Sequence, residues 1–280
     1  MSNQSWQREQ ARYILSGELV TETGLHVGSG YGSPRTDETV VRDFWGRPYI
    51  PGSSFKGALR SAVERLIAGL AGAHVTSCKL TEGCKVCLTT DPDRQRVWQD
   101  LVVQRPVEDE LVKLLVDREK GLCDTCRLFG SPYSQARLYV SDLPLAEGQP
   151  ASDAGEIRHG VGIDRDTLTA RERIKYDFEA LPSQLRFVAE LIVDRPSAVD
   201  LGLLALGLKE LQLGFIPLGG IRSRGLGRCR LTLTQTRQID LADKKALLTA
   251  LSADRRAAAG AALDPAQFIT DHLAGLVKVL

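Results

Sequence analysis

A single amphipathic helix near the N-terminus places the firmest constraint on the fold of this chain. From Phe55 onward, apolar residues recur three and four positions apart, at 55, 58, 59, 62, 63, 66, 67 and 70. This spacing puts them on one face of a helix. Ser53 or Ser54 is available to cap the first turn, as serine does at many helix N-termini. We therefore predict a helix over 53–70 with one buried face.

A turn-rich loop precedes this helix and carries glycine at positions 28, 30 and 32, followed by a lone acid at Asp37. A strand over 13–21 leads into the loop. Lys56 and Arg60 stand one turn apart beside the helix N-terminus, whose free N–H groups attract anions. The combination predicts a ligand-binding loop for phosphate. The alternative is an ordinary loop that enters an ordinary capped helix.

The order of the other periodic segments predicts the fold class. Short alternating segments indicate further strands at 137–143, 185–194 and 228–234. The segment from Ser197 to Asp200 resembles a capping box and precedes an apolar segment, 201–213, that predicts a helix. The strong elements therefore follow the order β, α, β, β, α, β. This order is typical of an α+β protein with the ferredoxin-like or RNA-recognition-motif arrangement, a sheet with helices on one face.

The same pattern divides the chain into one main domain and its additions. We expect a domain over 1–240, interrupted by a cysteine-bearing insertion at about 71–128. A Gly- and charge-rich segment at about 146–181 predicts an extended loop or hairpin arm. The Ala- and Leu-rich segment 241–280 predicts a C-terminal helical tail with helices at 241–252 and 265–278.

Two C-x-x-C pairs in the insertion predict a metal site. Cys84 with Cys87, and Cys123 with Cys126, can each present two thiolates to one tetrahedral Zn²⁺ from a tight turn. Cys78 and His74 are spare donors that could replace one ligand. Four protein ligands leave no open position for water, so the predicted role of the zinc is structural. Free buried thiols or a redox pair are the alternatives.

A second glycine-rich segment, LGGIRSRGLGR at 218–228, interleaves glycines with Arg222, Ser223 and Arg224. Glycine lets backbone N–H groups approach a phosphate closely, and arginine offers two parallel hydrogen bonds to it. The segment predicts a groove that follows an RNA backbone. A flexible turn with solvated arginines is the alternative.

Composition limits the classes of partner. The net charge of the 280 residues is +1, so a nucleic-acid surface must come from local clustering of basic residues. The N-terminal segment has no apolar core suited to a signal peptide, and no run approaches transmembrane length. We expect a cytoplasmic protein with no membrane partner, in which the six cysteines serve as metal ligands or free thiols.

Five motifs together resemble one known family. They are TGLHVGSG, IPGSSFKGALR, CDTCRLFGS, IDRDT and GGIRSRGLG, spread from residue 23 to about 230. The set is similar to the RAMP superfamily of CRISPR-associated proteins, and most similar to the backbone subunits of type III effector complexes. The resemblance implies a modified RNA-recognition motif with a zinc-bearing insertion and a thumb hairpin. It also implies a guide-RNA (crRNA)-binding subunit that cleaves the paired target RNA beside other effector subunits, copies of itself or homologues in a filament.

The resemblance also assigns roles to residues. The catalytic aspartate of the family lies just upstream of the P-G-S-S signature, which points to Asp37, and Asp43 matches a second acid after it. The implied RNA contacts are His26, Lys56, Arg60, His159, Arg165, Arg222, Ser223 and Arg224. His26 could equally be a satisfied structural residue, and Asp37 could merely cap a turn.

The expected chemistry is attack by an RNA 2′-hydroxyl, with a divalent ion such as Mg²⁺ or Mn²⁺ held by Asp37. Recognition should follow backbone and shape, because the strands carry no run of aromatic residues. Three other functions remain open: a scaffold that only holds crRNA, a stand-alone ribonuclease for guide precursors, and a zinc-stabilised protein-interaction module. The fold alone does not separate the first of these from a cleaving subunit.

Overall fold

A five-stranded antiparallel sheet organises the computed structural model, which describes residues 9–70, 74–82, 84–103, 115, 121–149, 155–252 and 260–280. The strands are β1 (Ala11–Thr21), β2 (Tyr49–Ile50), β3 (Leu138–Val140), β4 (Leu143–Pro144), β5 (Glu156–Ile163), β6 (Ala170–Ala180), β7 (Arg186–Asp194), β8 (Cys229–Asp240) and β9 (Ala261–Leu263). The helices are α1 (Gly52–Gly69), α2 (Pro92–Val103), α3 (Asp124–Phe129), α4 (Ala198–Gln212), α5 (Lys244–Leu251) and α6 (Pro265–Val277).

The sheet has the strand order β3-β7-β1-β8-β9. Strand β1 runs antiparallel to both β7 and β8, and β3 runs antiparallel to β7. Along the chain, the six elements β1, α1, β3, β7, α4 and β8 repeat a β-α-β unit. This is the predicted ferredoxin-like α+β arrangement, with β9 added outside β8.

The two long helices cover one face of this sheet, where the apolar side chains of β1 point. Tyr13, Leu15 and Leu19 of β1 are buried in one core with Leu59 of α1, as the period of two along a strand requires. Helices α1 and α4 approach closely at Gly207. A Cβ there would lie only 2.5 Å from Leu59 Cδ1, so a larger residue would force the buried Leu59 side chain to shift.

The start of α1 differs from the sequence prediction. Its N-cap is Pro51, and neither Ser53 nor Ser54 provides a side-chain cap. Instead, the Gly52 N–H donates to Asp142 Oδ1 over 2.8 Å. One of the backbone N–H groups at the start of α1, which were predicted to bind phosphate, is therefore already hydrogen-bonded to a carboxylate of the protein. The capping box predicted at Ser197 and Asp200 is present at the start of α4.

The C-terminal segment packs into the main domain. Both predicted helices are present, as α5 and α6. Phe268 and Leu276 of α6 are buried in the core, and a Cβ on Gly202 of α4 would lie 2.8 Å from the Leu276 Cβ. The short strand β9 between the two helices pairs with β8. The C-terminal segment thus extends the sheet through β9 and packs against α4 through α6.

Two additions project from this domain. Strands β5 and β6 form a separate two-stranded sheet, called here the hairpin arm, at the place of the predicted arm and thumb. Helices α2 and α3 belong to the insertion, which has its own small apolar cluster around Leu88 and Leu122. No helix in the part of the chain that the structure describes is long and apolar enough to cross a bilayer.

Candidate functional site

Four buried cysteines of the insertion form a group that could hold a metal ion. One sulfur from each of Cys78, Cys87, Cys123 and Cys126 lies within 4.8 Å of the others, and each residue is at most 1% exposed. A tetrahedral Zn–S₄ site needs four thiolates gathered around one point. The cysteine cluster, as we call these four residues, fits that requirement and leaves no position open to water.

The cysteines that the structure brings together differ from the predicted ligand set by one member. Cys78 occupies the place proposed for Cys84, and neither Cys84 nor His74 belongs to the cluster. The chain reverses at Lys79 and Leu80, whose φ angles of 50° and 54° are left-handed. This turn carries Cys78 inward. Cys84 is only partly buried and packs against the outside of the cluster.

Hydrogen-bond donors surround the sulfurs. The backbone N–H groups of Cys123 and Thr89 donate to Cys87 Sγ over 3.3 and 3.4 Å. Hydrogen bonds from the neighbouring thiols, that of Cys123 first, hold the pKa of Cys87 well below its usual range. Such donors stabilise a thiolate over a thiol. The pKa values of Cys78, Cys123 and Cys126 are raised, by hydrogen bonds among the thiols and by burial. The protein groups alone therefore favour one thiolate, at Cys87, and a bound cation would supply the charge that favours the others.

Arg60, predicted as an RNA contact, lies among these surroundings. Its guanidinium donates to Cys126 Sγ over 3.2 Å, to the Gly130 carbonyl over 2.9 Å and to Glu64 over 2.8 Å. The side chain is only 15% exposed. All three bonds point into the protein because α1 turns this face toward α3. Lys56, one turn earlier, is half-buried, and burial followed by repulsion from Arg60 lowers its pKa.

Asp37 is exposed on the glycine-rich loop, where that loop meets the hairpin arm. Its backbone N–H donates to Asp177 Oδ1 over 2.9 Å, and the Asp177 N–H donates to Asp37 Oδ2 over 3.0 Å. The second predicted acid, Asp43, accepts the Trp45 and Arg47 N–H groups at 2.9 and 2.8 Å. Asp43 thereby closes its own turn, whereas Asp37 bridges two parts of the fold.

His26 is buried at 3% exposure, which favours its structural alternative over a direct RNA contact. Its Nδ1 donates to the Glu179 carbonyl over 2.6 Å, and its Nε2 lies 3.1 Å from Glu38 Oε2. The ring also packs edge-on against Phe178. His26 thus joins the loop to the arm. Both of its ring nitrogens already have protein partners.

The two RNA contacts predicted on the arm lie at different positions along it. His159 stands opposite Asp177 in the strand register, with its Nδ1 3.6 Å from Asp177 Oδ2. Arg165 is exposed in the turn at the tip of the arm. Asp164 shapes that turn by accepting the N–H groups of Asp166 and Thr167, both over 3.0 Å. The structure therefore places His159 beside Asp177, the hydrogen-bond partner of Asp37, and Arg165 in the turn at the tip of the arm.

The second glycine-rich segment lies against the first. Gly219 has a left-handed φ of 76°, and a Cβ on it would overlap the His26 carbonyl oxygen. The same oxygen accepts the Gly220 N–H over 2.8 Å. A cleft of about 360 Å³ opens beside this contact. The residues lining it are Val27, Gly28, Ser54, Gly57, Ala58, Ser61, Gly219, Gly220 and Arg222.

The arginines of this segment differ in their partners. Glu22 accepts Arg228 Nε and Arg230 Nε at 2.7 and 2.9 Å. Arg224 bonds to the Tyr176 hydroxyl on the arm. Arg222, exposed with Ser223, forms no ion pair with any residue that the structure describes. Arg222 is therefore the charge that remains available at the cleft.

Sequence reasoning missed several residues of these sites. Asp177, Tyr176 and Glu22 gave no local signal, since each acts on a residue at least 48 positions away in the chain. The sequence predicted Cys78 only as a spare ligand for the zinc site. Ser54 and Ser61 face the cleft because they share the exposed side of α1, and the helical period could have found them.

Comparison with known proteins agrees with this architecture. Two archaeal proteins named CRISPR system Cms endoribonuclease Csm3 match short segments. That of Methanothermobacter thermautotrophicus is 39% identical over 83 residues, 28% of this chain and 34% of that protein. That of Methanocaldococcus jannaschii is 42% identical over 59 residues, 20% of this chain and 24% of that protein. The chain thus spans about a third or less of either archaeal relative.

A longer match joins the chain to a bacterial protein of the same name. The Streptococcus thermophilus protein is 24% identical over 234 residues, which are 78% of this chain and 86% of that protein. The model of the RAMP superfamily matches residues 18–230, from within β1 to the start of β8. That interval holds the end of β1, the elements from β2 to α4, the cysteine cluster and the hairpin arm, and the chain belongs to the RAMP superfamily.

Proposed function

We propose that this protein binds crRNA as a backbone subunit of a type III CRISPR effector complex and cleaves complementary target RNA. The observation that carries the proposal is the exposed Asp37 carboxylate, fixed where the glycine-rich loop meets the hairpin arm. Its Oδ1 has no hydrogen-bond partner within the described residues. The relatives are named endoribonucleases, which supports the same activity here.

The cleft beside Asp37's loop is the proposed path of the RNA backbone. Arg222 supplies charge, Ser54 and Ser61 supply hydroxyls, and the glycines allow close approach. Lys56, Ser223 and Arg224 remain proposed contacts at its margin, with His159 and Arg165 on the arm. These groups contact phosphate and sugar, so guide binding should be independent of base sequence.

The proposed reaction is attack of the ribose 2′-oxygen on the adjacent phosphorus, with departure of the 5′-oxygen of the next nucleotide. It leaves a 2′,3′-cyclic phosphate and a 5′-hydroxyl. Mg²⁺ or Mn²⁺ is commonly held by one or two carboxylates together with substrate phosphates, and would neutralise charge on the phosphorane. Asp37 offers one such carboxylate. Its fixed position favours the alignment of the 2′-oxygen for in-line attack.

The cysteine cluster is proposed to bind Zn²⁺ in a structural role. Four buried sulfurs exclude water from the metal, and metal binding then contributes directly to folding of the insertion. We place the protein in the cytoplasm. Its proposed partners are crRNA, target RNA and other effector subunits, including copies of itself or homologues in a filament.

Asp37→Ala, assembled with guide RNA and offered a complementary target with Mg²⁺, tests the function. Cleavage should fall by at least about 100-fold, while target binding stays unchanged. A 2′-deoxy substitution at the cut should also block the unmutated protein. Undiminished cleavage by Asp37→Ala would remove Asp37 from the reaction. Failure of the intact wild-type complex to cut would instead favour a scaffold that only holds crRNA.

A further inference from the structure

The glycine-rich loop is held along the return strand of the hairpin arm. Glu38 forms a parallel bridge with Phe178 of β6, and the Glu179 N–H donates to the Glu38 carbonyl over 2.9 Å. The Glu179 side chain accepts the Val40 N–H over 2.9 Å and Arg42 over 2.5 Å. Residues 37–42 therefore follow β6 like a short added strand.

At the exposed end of this contact, two aspartates hold each other. Asp177 Oδ1 accepts the Asp37 N–H, and Asp37 Oδ2 accepts the Asp177 N–H, at 2.9 and 3.0 Å. The contact is reciprocal, so it engages both the backbone N–H and one carboxylate oxygen of Asp37. Within the described residues, Asp37 has no other side-chain hydrogen bond.

The loop restrains the backbone on either side of Asp37. The Ser33 N–H donates to the Thr36 carbonyl over 2.8 Å, and the Thr39 N–H donates to the Tyr31 carbonyl over 3.1 Å. These bonds hold the main chain and leave the Asp37 side chain without a partner from the loop. A displacement of about 1 Å in a catalytic group can cost about 100-fold in rate. Among the described residues, the Asp37 carboxylate is hydrogen-bonded to Asp177, so its orientation depends on this contact with β6.

We propose that Asp177 is a positioning residue for RNA cleavage, which makes the hairpin arm part of the catalytic centre. This rests on the proposed function. Asp177 acts through Asp37: one of its oxygens is engaged by the Asp37 N–H and the other faces His159 at 3.6 Å. An arm displaced by bound RNA would carry the catalytic carboxylate with it, because the two are joined by paired hydrogen bonds.

Three variants test this in the complete complex with guide RNA. Asp177→Ala removes the acceptor for the Asp37 N–H, whereas Asp177→Asn keeps an acceptor oxygen and removes the charge. Glu156→Ala, on strand β5 of the same arm, removes a charge of the same sign and is the matched control. Its side chain forms an ion pair with Arg158, at 3.6 Å, and with no other residue that the structure describes.

Two readouts are needed. Hydrogen exchange of residues 33–40 reports docking of the loop without requiring cleavage. Asp177→Ala should accelerate exchange at Asp37 by about 10-fold or more, whereas Asp177→Asn and Glu156→Ala should not. Cleavage by Asp177→Ala should fall about 10- to 100-fold with unchanged target affinity, and Asp177→Asn should recover it to within about 3-fold.

The outcomes separate this inference from the proposed function. Unchanged exchange in Asp177→Ala overturns the positioning role, whether or not the complex cleaves RNA. Cleavage that is equally weak in Asp177→Asn and Asp177→Ala also overturns it, because the charge would then be the required property. Failure of the wild-type complex to cleave, with exchange changed as expected, rejects the proposed function and leaves the docking role of Asp177 supported.

Discussion

The cysteine cluster and the contact between Asp37 and Asp177 are both built from residues far apart in sequence, but they differ in access to water. The cluster residues are at most 1% exposed, and donors from the protein surround the sulfurs. Asp37 is exposed and leaves one oxygen without a protein partner in the described chain. The difference indicates what each site can do. The cysteine cluster, closed to water, can stabilise the fold, whereas the exposed Asp37 can contact a substrate.

The largest effect is expected at the closed site and separates Cys78 from Cys84. Cys78→Ser should abolish near-stoichiometric zinc binding and destabilise the insertion, because metal binding here contributes to folding. Cys84→Ser should keep the zinc, since its sulfur lies outside the cluster. Metal analysis of the two purified variants decides the ligand set. Loss of zinc in Cys84→Ser would support the ligand pair predicted from the sequence, Cys84 and Cys87.

The second prediction concerns two glycines of the second glycine-rich segment, near the open site. Gly219→Ala should lower the free energy of unfolding by about 2–4 kcal/mol, because a left-handed φ and overlap with the His26 carbonyl oppose the methyl group. Gly225→Ala has a similar φ of 88° but open space, so about 1 kcal/mol is expected. Equal destabilisation in urea unfolding would show that the packing against His26 contributes little.

Arg60 gives the third prediction, because it distinguishes support of the metal from RNA binding. Arg60→Ala should speed zinc release to a chelator by about 10- to 100-fold, the usual cost of losing a residue that bonds to a metal ligand. Arg60→Lys should be intermediate, since it keeps the charge but not the forked geometry. If Arg60→Ala releases zinc at the normal rate but binds RNA less tightly, Arg60 contacts RNA and does not support the metal site.

The smallest effect is expected for the arginines of the cleft. Arg222→Ala should reduce the salt dependence of RNA binding by about 0.7 in slope, equally for unrelated sequences. Arg230→Ala is the matched control, because Arg230 is already paired with Glu22 at 2.9 Å. Affinity measured at several salt concentrations provides the test. An equal change in both variants would contradict the special position of Arg222.

The elements of the fold were predictable because their signals are local. The apolar spacing from Phe55 predicted α1 to within one residue at each end, and the capping box at Ser197 marked the start of α4. The hairpin arm was predicted only as a loop or hairpin, since its charge-rich strands lack a simple alternation. The cap of α1 was missed because its acceptor, Asp142, lies 90 residues away.

By itself, the sequence determined the order of strands and helices, the α+β class, the two C-x-x-C pairs and the loop that carries Asp37. Periodicity, capping and spacing are properties of neighbouring residues, so they survive without a structure. Only the tertiary structure decided that Cys78 lies in the cysteine cluster and Cys84 outside it, that Arg60 faces the cysteines, and that Asp177 meets Asp37 across 140 positions. These choices depend on chain reversal and helix packing, which bring distant groups within hydrogen-bond distance and leave no trace in local spacing.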